Sequence, residues 1–338
     1  MQIISEDSED EIALRNTKRY VNRFVKRETN TCLYEQKPFR IYKGSDKFLF
    51  QEIKRETPDS YEIEVNVKAV GLNSKDIARI AGTLDAEMTQ NGLITGLGLE
   101  YSGLVINVGD KVTKFKPGDE IMGFAANCMA SHIIADSRLS IKKPSSLNFE
   151  EAATMPLASL TGYYALHTLA GIQKNDRVLI HTATGGMGLC AIQIARAAGA
   201  EIFATAGTPE KRDFLKSMGI KYVGNSRSLG FYDEITKILD GKGIDIVINT
   251  LPDKKMLKSL DLLKPVIGRF IDLNNMHSDI KLSMNPFQTG ASFFAFDMEK
   301  IAKDNLSILE SVWTTIADDI GSDKIFALPH RPFSVSDI

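Results

Sequence analysis

The chain reads as an α/β protein built on a doubly wound parallel sheet, with a separate antiparallel β domain ahead of it. Three observations predict this. A strand, a glycine turn and a helix follow one another directly at 177–200; strands and helices keep alternating from 202 to 273; and residues 60–140 form a period-two stretch broken by turns.

The glycine turn is the most informative of the three. Arg177 to His181 (RVLIH) is an apolar run of the length of a buried parallel strand, and Ala183, Gly185 and Gly188 then fill the three positions of a G-x-G-x-x-G fingerprint, with alanine at the first. Lacking side chains, Gly185 and Gly186 let the backbone approach a phosphate, while Gly188 lets the helix pack closely on its strand. Helix-start amides and the positive end of the helix dipole then face the anion. Thr184, Gly185, Gly186, Met187 and Gly188 are the expected pyrophosphate contacts. A purely structural glycine turn is the alternative, and the placement between strand and helix argues against it.

The following segments continue the alternation. Ile202 to Thr205 reads as a strand, Pro209 to Met218 as a helix opened by proline, and Ile244 to Thr250 as a further apolar strand. Asp253 to Leu263 has a helical pattern, and Gly268 to Leu273 (GRFIDL) forms another strand. Repeated βα units of this kind make a doubly wound sheet.

At the end of the second strand an acidic residue normally holds the ribose hydroxyls of NAD. Here that end reads ATAGTPEKR, with no carboxylate before Glu210 and with Lys211 and Arg212 just inside the next helix. Arg227, in NSRS, is a candidate second cation. These bases suit a 2′-phosphate and point to NADPH; singly, each also reads as part of a solvated helix face.

Ahead of this region, YEIEVNVKAVG alternates with period two, and GLEYSGLVINVGDKVTKFKPGDEIMG is punctuated by glycine turns, the pattern of a compact antiparallel β domain. PSSLNFE at 144–150 reads as a connector into a helix beginning near Glu150. The expected division is a substrate domain over 1–152, completed by 320–338, and a nucleotide-binding domain over 153–319.

Composition sets the class. With 338 residues, 43% hydrophobic and 25% charged, the chain can bury the cores of about two domains. A net charge of −2 offers no general attraction to nucleic acid or anionic membrane. No apolar run reaches the roughly 20 residues of a membrane span, and MQIISEDSEDE is not a signal peptide. Cys32, Cys128 and Cys190 lie far apart, which suggests neither a disulfide framework nor a zinc cluster and makes a reduced cytoplasmic setting natural.

Taken in order, LNSKDI, GLEYSG, VGDKVTKFKPGDEIMG, ATMPLASLTGYYAL, HTATGGMG, NSRSLGF and INTL resemble the medium-chain dehydrogenase/reductase superfamily. Within it the chain most resembles the enoyl reductase domains of modular polyketide synthases and animal-type fatty acid synthases, from about Tyr34 to the end. The resemblance implies a GroES-like substrate domain beside a Rossmann-type fold. It also implies that the chain is a piece of a larger synthase, with Glu9 to Glu28 leading in from a preceding domain. Family members continue past PFSVSDI with a helix and a strand, so the carboxyl terminus is expected to be truncated. Zinc-dependent relatives carry a histidine before the glutamate of the GLE-like motif. Leu99 stands there, and leucine cannot ligate zinc. Of His132, His167, His181, His277 and His330, none pairs with another at metal spacing, and His181 is expected to be structural.

The chemistry implied by the resemblance is conjugate reduction of an α,β-unsaturated thioester on the phosphopantetheine arm of an acyl carrier protein, with hydride from NADPH. Aligned with the family, Leu84 stands where many members have a tyrosine proposed to protonate the α-carbon. Asn275 stands where a lysine is usual, and Asp297 is kept. Leucine cannot give a proton, and an amide donates a hydrogen bond without acting as an acid. Water or a relay through Asp297 is therefore the expected proton route, with reductive ring closure by a trapped enolate and an inactive scaffold as the other consequences. By position, Asn73 and Thr161 face nicotinamide and substrate in the resemblance, while Asn249, Leu251 and Leu273 border the cofactor. As alternatives, Asn73 makes a turn and Thr161 caps the helix it begins. Phe293, Phe294 and Phe296 read as acyl channel or as core and subunit contact. A free quinone or alkenal reductase remains a rival function. The partners expected are an acyl carrier protein and neighbouring synthase domains, and the excised domain is expected to be a monomer.

Overall fold

The computed structural model describes residues 12–15, 18–21, 37–45, 47–83, 89–90, 93–94, 96–274, 281–282, 287–288 and 290–337. They fall into two units, one within Met1–Lys37 and Ser334–Ile338, the other within Pro38–Phe333. In the first, β1 (Ile12–Arg15) pairs antiparallel with β2 (Lys18–Val21), and a 3-10 turn covers Val335–Asp337.

The second unit opens with β3 (Phe39–Lys43) and β4 (Phe48–Glu52), followed by β5 (Glu62–Gly71) and the short helix α1 (Ser74–Ile80). Two short strands, β6 (Thr89–Gln90) and β7 (Leu93–Ile94), join β3 and β4 in a four-stranded sheet. β8 (Glu100–Val108), β9 (Glu120–Phe124), β10 (His132–Asp136) and β11 (Ser140–Lys142) combine with β5 in an antiparallel sheet of order β10-β5-β8-β9-β11. The period-two pattern is realised here: Ile63 and Val65 are fully buried in the domain core with Tyr101, Val105 and Ile121.

α2 (Phe149–Ala153) starts where the connector predicted a helix, capped by Asn148, whose side chain accepts from the Glu151 amide while Glu151 reaches back. α3 (Pro156–Tyr163) follows, with proline in its first turn, and continues as a π-helical turn over Tyr164–Leu169. Then come β12 (Arg177–Ile180), α4 (Gly186–Ala197), β13 (Glu201–Ala206), α5 (Pro209–Ser217), β14 (Tyr222–Asn225), α6 (Gly230–Leu239) and β15 (Ile246–Asn249). α7 (Asp253–Asp261), β16 (Arg269–Asp272), β17 (Ser292–Ala295), α8 (Met298–Asp304) and α9 (Leu306–Gly321) complete the fold. The six strands run parallel in the order β14-β13-β12-β15-β16-β17, the doubly wound arrangement.

Alternation along these strands feeds two cores. Val178, Ile180, Ile246, Ile248 and Ile271 face the side that holds α4 residues and Trp313 of α9, while Leu179, Phe203, Val247 and Phe270 face Phe231, Ile235 and Met256 of α6 and α7. A sheet covered on both faces needs apolar residues at every position, which is why these strands read as continuous apolar runs.

One sequence expectation needs revision. Thr161 lies inside α3, since the helix begins at Pro156, so it does not cap a helix. The tail at 326–328 fastens to the parallel fold, with the Phe326 amide donating to Gln193 of α4 (2.6 Å) and the Leu328 amide to Thr154 (3.0 Å). Phe293 stacks on Phe270 (5.4 Å), and Phe294 and Phe296 pack against the first core, in line with the core reading of that aromatic run.

Candidate active site

In an open parallel sheet, ligands bind outside the carboxyl ends of the strands where the winding reverses. That point lies between β12 and β15. Beyond β12 the chain turns through Thr182, in the left-handed region at φ 49°, and Gly185 precedes the first helical residue of α4. The Leu189 amide is bonded back to the Gly185 carbonyl (2.9 Å), so the amides of Gly186, Met187 and Gly188 lie ahead of that bond, the position of an anion cradle. Gly188 is required for contact: a Cβ there would sit 2.7 Å from Ala183 Cα and 2.8 Å from the Thr182 carbonyl oxygen. Across the switch point Thr250 donates to Thr182 (2.8 Å), a pair that ties the ends of β12 and β15 and that local sequence reading does not reveal.

Lys211 is exposed in the first turn of α5, which is capped by Thr208, and Arg227 is exposed just beyond β14. Arg227 Nε would lie 3.0 Å from a Cβ at Gly207, so the glycine is what lets the guanidinium lie across the end of β13. The residues of β13 and its following turn, EIFATAGT, present no carboxylate at that end. The donor set fits a 2′-phosphate.

On the other side of the switch point, Asn249 is fully buried. Its amide donates to the Leu251 carbonyl (2.9 Å) and to Asp272 (2.8 Å), and its oxygen accepts from the Leu251 amide (3.2 Å). Asn249 thus shapes the turn, Leu251 is buried in the second core, and the Leu273 amide bonds to the Asn249 carbonyl (2.9 Å). These three residues build the rim through their backbone rather than by presenting polar side chains.

The antiparallel domain contributes α1. Asn73 precedes it, with its backbone amide donating to Asp76 (2.8 Å) and its side chain donating to Glu100 (2.8 Å). Glu100 is 4% exposed and also accepts from the Leu157 amide in the first turn of α3 (2.8 Å), so one carboxyl joins Asn73 to the helix that carries Thr161. Burial pushes the Glu100 carboxyl up to about 7, against the pull of those two donors. Asn73 therefore makes the turn and is tied through Glu100 to the start of α3.

Asp297 caps α8 and accepts from the Glu299 amide (2.9 Å). Lys75 of α1 reaches over to both of its oxygens (2.9 Å each) and to Glu299 (2.7 Å), while Arg79 holds the other Glu299 oxygen (2.6 Å). Burial alone would raise the Asp297 carboxyl, but Lys75 and the capping amides outweigh it and hold it below the usual carboxylate range. Asp297 is thus an ionised anchor that carries no proton of its own. Asn275 and Leu84, the two departures read from the sequence, lie outside the described residues.

Leu99, at the position of the zinc-binding histidine, is fully buried in the core. Among the described residues no three His, Cys, Asp or Glu side chains are grouped to hold a metal. His181 is fully buried between Thr205 (2.8 Å) and Ser259 (2.7 Å), and burial pushes it down to about 3. It is a neutral, structural histidine, as expected.

Residues 59–146 match the alcohol dehydrogenase GroES-like domain, and residues 186–320 match the domain described as zinc-binding dehydrogenase. Among solved structures, the CurK enoyl reductase superposes with a TM-score of 0.81 at 36% identity, covering 89% of this chain and 93% of that one. The chain belongs to the enoyl reductases of the medium-chain dehydrogenase/reductase superfamily. The CurF ER cyclopropanase from the curacin A biosynthetic pathway is similar at TM-score 0.79 and 31% identity, over 88% of this chain and 92% of that one. Among curated proteins, phthioceranic/hydroxyphthioceranic acid synthase of Mycobacterium tuberculosis is 35% identical over 93% of this chain. The mycocerosic acid synthase-like polyketide synthase of Mycolicibacterium smegmatis is 33% identical over 98%. The chain spans 15% and 16% of the lengths of these two relatives.

Proposed function

We propose that this chain is an NADPH-dependent enoyl reductase domain that reduces an α,β-unsaturated acyl thioester carried on an acyl carrier protein during polyketide assembly. The observation that carries the reading is the likeness to the CurK enoyl reductase along nearly the full length of both chains. The lack of a carboxylate at the end of β13, with Lys211 and Arg227 there instead, supports the choice of cofactor. NADPH, when bound, supplies the hydride that reaches the β-carbon.

The protein's own residues do the rest. The α4 amides would hold the pyrophosphate and the Lys211 and Arg227 side chains the 2′-phosphate, which sets the depth of the cofactor. The buried Glu100 fixes Asn73 against α3, and the Lys75–Asp297 contact ties α1 to the carboxyl end of β17, so the substrate wall and the cofactor wall are registered to each other. Among the described residues no helix is long and apolar enough to cross a membrane. We place the domain in the cytoplasm, beside other synthase domains, and expect the isolated domain to be monomeric.

The deciding experiment incubates the domain with NADPH deuterated at the transferred position and crotonyl-pantetheine. A saturated thioester with one deuterium at the β-carbon is expected. Turnover of free quinones or alkenals in preference to thioesters would move the assignment to a stand-alone reductase, and NADPH binding without turnover of any substrate would leave a scaffold. The likeness to the CurF cyclopropanase favours one second reading, reductive ring closure. A γ-chloro enoyl thioester tests it, since loss of chloride with retention of deuterium marks the cyclised product.

Removing both cations (Lys211→Ala with Arg227→Ala) is expected to weaken NADPH binding by roughly 10–100-fold while NADH affinity stays as it was. Fluorescence titration with the two cofactors measures this, and an equal loss for both would remove the 2′-phosphate assignment.

A further inference from the structure

We propose that Lys75, held across the seam between the two folds by Asp297 and Glu299, is the source of the proton that reaches the α-carbon. The proposal rests on the enoyl reduction argued above. Hydride arrival at the β-carbon leaves negative charge on the thioester oxygen, and the α-carbon must then take a proton from a donor fixed in the cleft. Asp297 does not qualify, because its ion pair and capping amides keep it ionised.

The ammonium beside it does qualify. Lys75 lies in the first turn of α1, and its contact with Asp297, two residues past the end of β17, brings its ammonium to the carboxyl end of the parallel sheet, the side on which such folds bind their ligands. Its Nζ sits 2.9 Å from both Asp297 oxygens and 2.7 Å from Glu299 Oε2. The support behind it is rigid. Arg79, 2% exposed, donates to Glu299 (2.6 Å) and to the Gly96 carbonyl (2.9 Å), and Asp297 is itself fixed by the start of α8. The Lys75 side chain is 26% exposed, so water reaches it after the proton has left.

In the transfer an N–H bond of the Lys75 ammonium breaks and a C–H bond forms at the α-carbon. The enolate collapses to the thioester, and the resulting amine regains its proton from solvent. The thioester enolate is far more basic than an amine, so the step runs downhill even with two carboxylates alongside. A lysine reaching from the opposite domain also means that the donor is in place only when the two walls are together.

The test separates proton donation from ion pairing. Arginine keeps the charge and both carboxylate contacts but does not give up a proton, whereas methionine keeps only the apolar stem. For Lys75→Arg and Lys75→Met alike, turnover of crotonyl-pantetheine is expected to fall about 100-fold. NADPH affinity by fluorescence titration and thermal melting of the arginine variant should stay unchanged. With tigloyl-pantetheine, whose α-carbon carries a methyl group, the wild type should yield one α-configuration and both variants a mixture, as water replaces the fixed donor. Wild-type activity in Lys75→Arg would reduce Lys75 to an ion-pair partner and overturn the proposal, as would an unchanged α-configuration in either variant. If methionine prevents folding, the arginine variant and the α-configuration still decide. Failure of the wild type to reduce any enoyl thioester would instead refute the functional reading on which the proposal rests.

Discussion

Replacing Gly188 with valine is expected to abolish NADPH binding and to cost about 3 kcal/mol of folding stability. The reason is the identity of the atoms that a side chain would meet. A Cβ at this position falls 2.7 Å from Ala183 Cα, 2.8 Å from Thr182 O and 2.9 Å from Ala183 C, all backbone and none able to rotate away. Relief requires α4 to move off β12, which opens the first core at Ile180 and Ala183 and withdraws the amides that would cradle the pyrophosphate. Gly186→Ala provides the contrast. Its Cβ meets only Leu328 Cδ1 at 3.6 Å, an ordinary contact, so folding should be nearly unaffected. Urea unfolding and NADPH fluorescence titration read both effects. A Gly188→Val protein that binds NADPH normally would show that the turn is not the cofactor cradle.

The second large effect is a pH dependence of stability centred on Glu100. In the unfolded chain this carboxyl ionises near 4.5, whereas burial in the fold pushes it up to about 7. Its ionised form is therefore penalised in the folded state. The stabilisation it contributes is complete below about 4.5 and is lost as the pH rises through about 7. The gap between the two values corresponds to about 3 kcal/mol. Asp76 adds to the effect, since its carboxyl is also raised by burial and its charge disfavours a second one at Glu100. Glu100→Gln mimics the neutral acid. The fall in unfolding free energy between pH 5 and pH 8.5 should be smaller in this variant than in the wild type by up to that amount. Identical pH slopes in the two proteins, measured by denaturant titration, would mean that the buried carboxyl is not what limits stability at alkaline pH. Because Glu100 also holds Asn73 and the start of α3, the same titration should alter substrate turnover.

How far the sequence reached differs between the two halves of the site. The glycine turn was legible because its requirements are local: a strand, three small residues at fixed spacing and a helix start all fall within 24 residues, 177 to 200. Lys211 could be named for a similar reason, since the end of β13 and the first turn of α5 are neighbours along the chain. The substrate end was not legible. Lys75 and Asp297 are 222 positions apart, and Thr182 and Thr250 are 68 apart. No periodicity connects such residues. Lys75 reads as one more solvated lysine until the fold sets α1 against α8. That burial commits the Asn249 amide to the 249–251 turn and to Asp272 was not legible either. Position within an element also escaped local reading, for SLTGYY carries no sign that α3 has already begun at Pro156.

By itself the sequence determined the class of the fold, the strand, glycine turn and helix at 177–200, and the choice of NADPH. Each of these rests on residue type and spacing within one or two turns of chain, where backbone geometry and apolar periodicity dominate. Tertiary structure alone decided which charges meet across the seam, which carboxyl is buried and pushed up, and which polar side chains shape backbone instead of facing ligand. Those outcomes depend on desolvation and on contacts between residues that the fold, and not the local chain, brings together, and both exist only once the elements have packed.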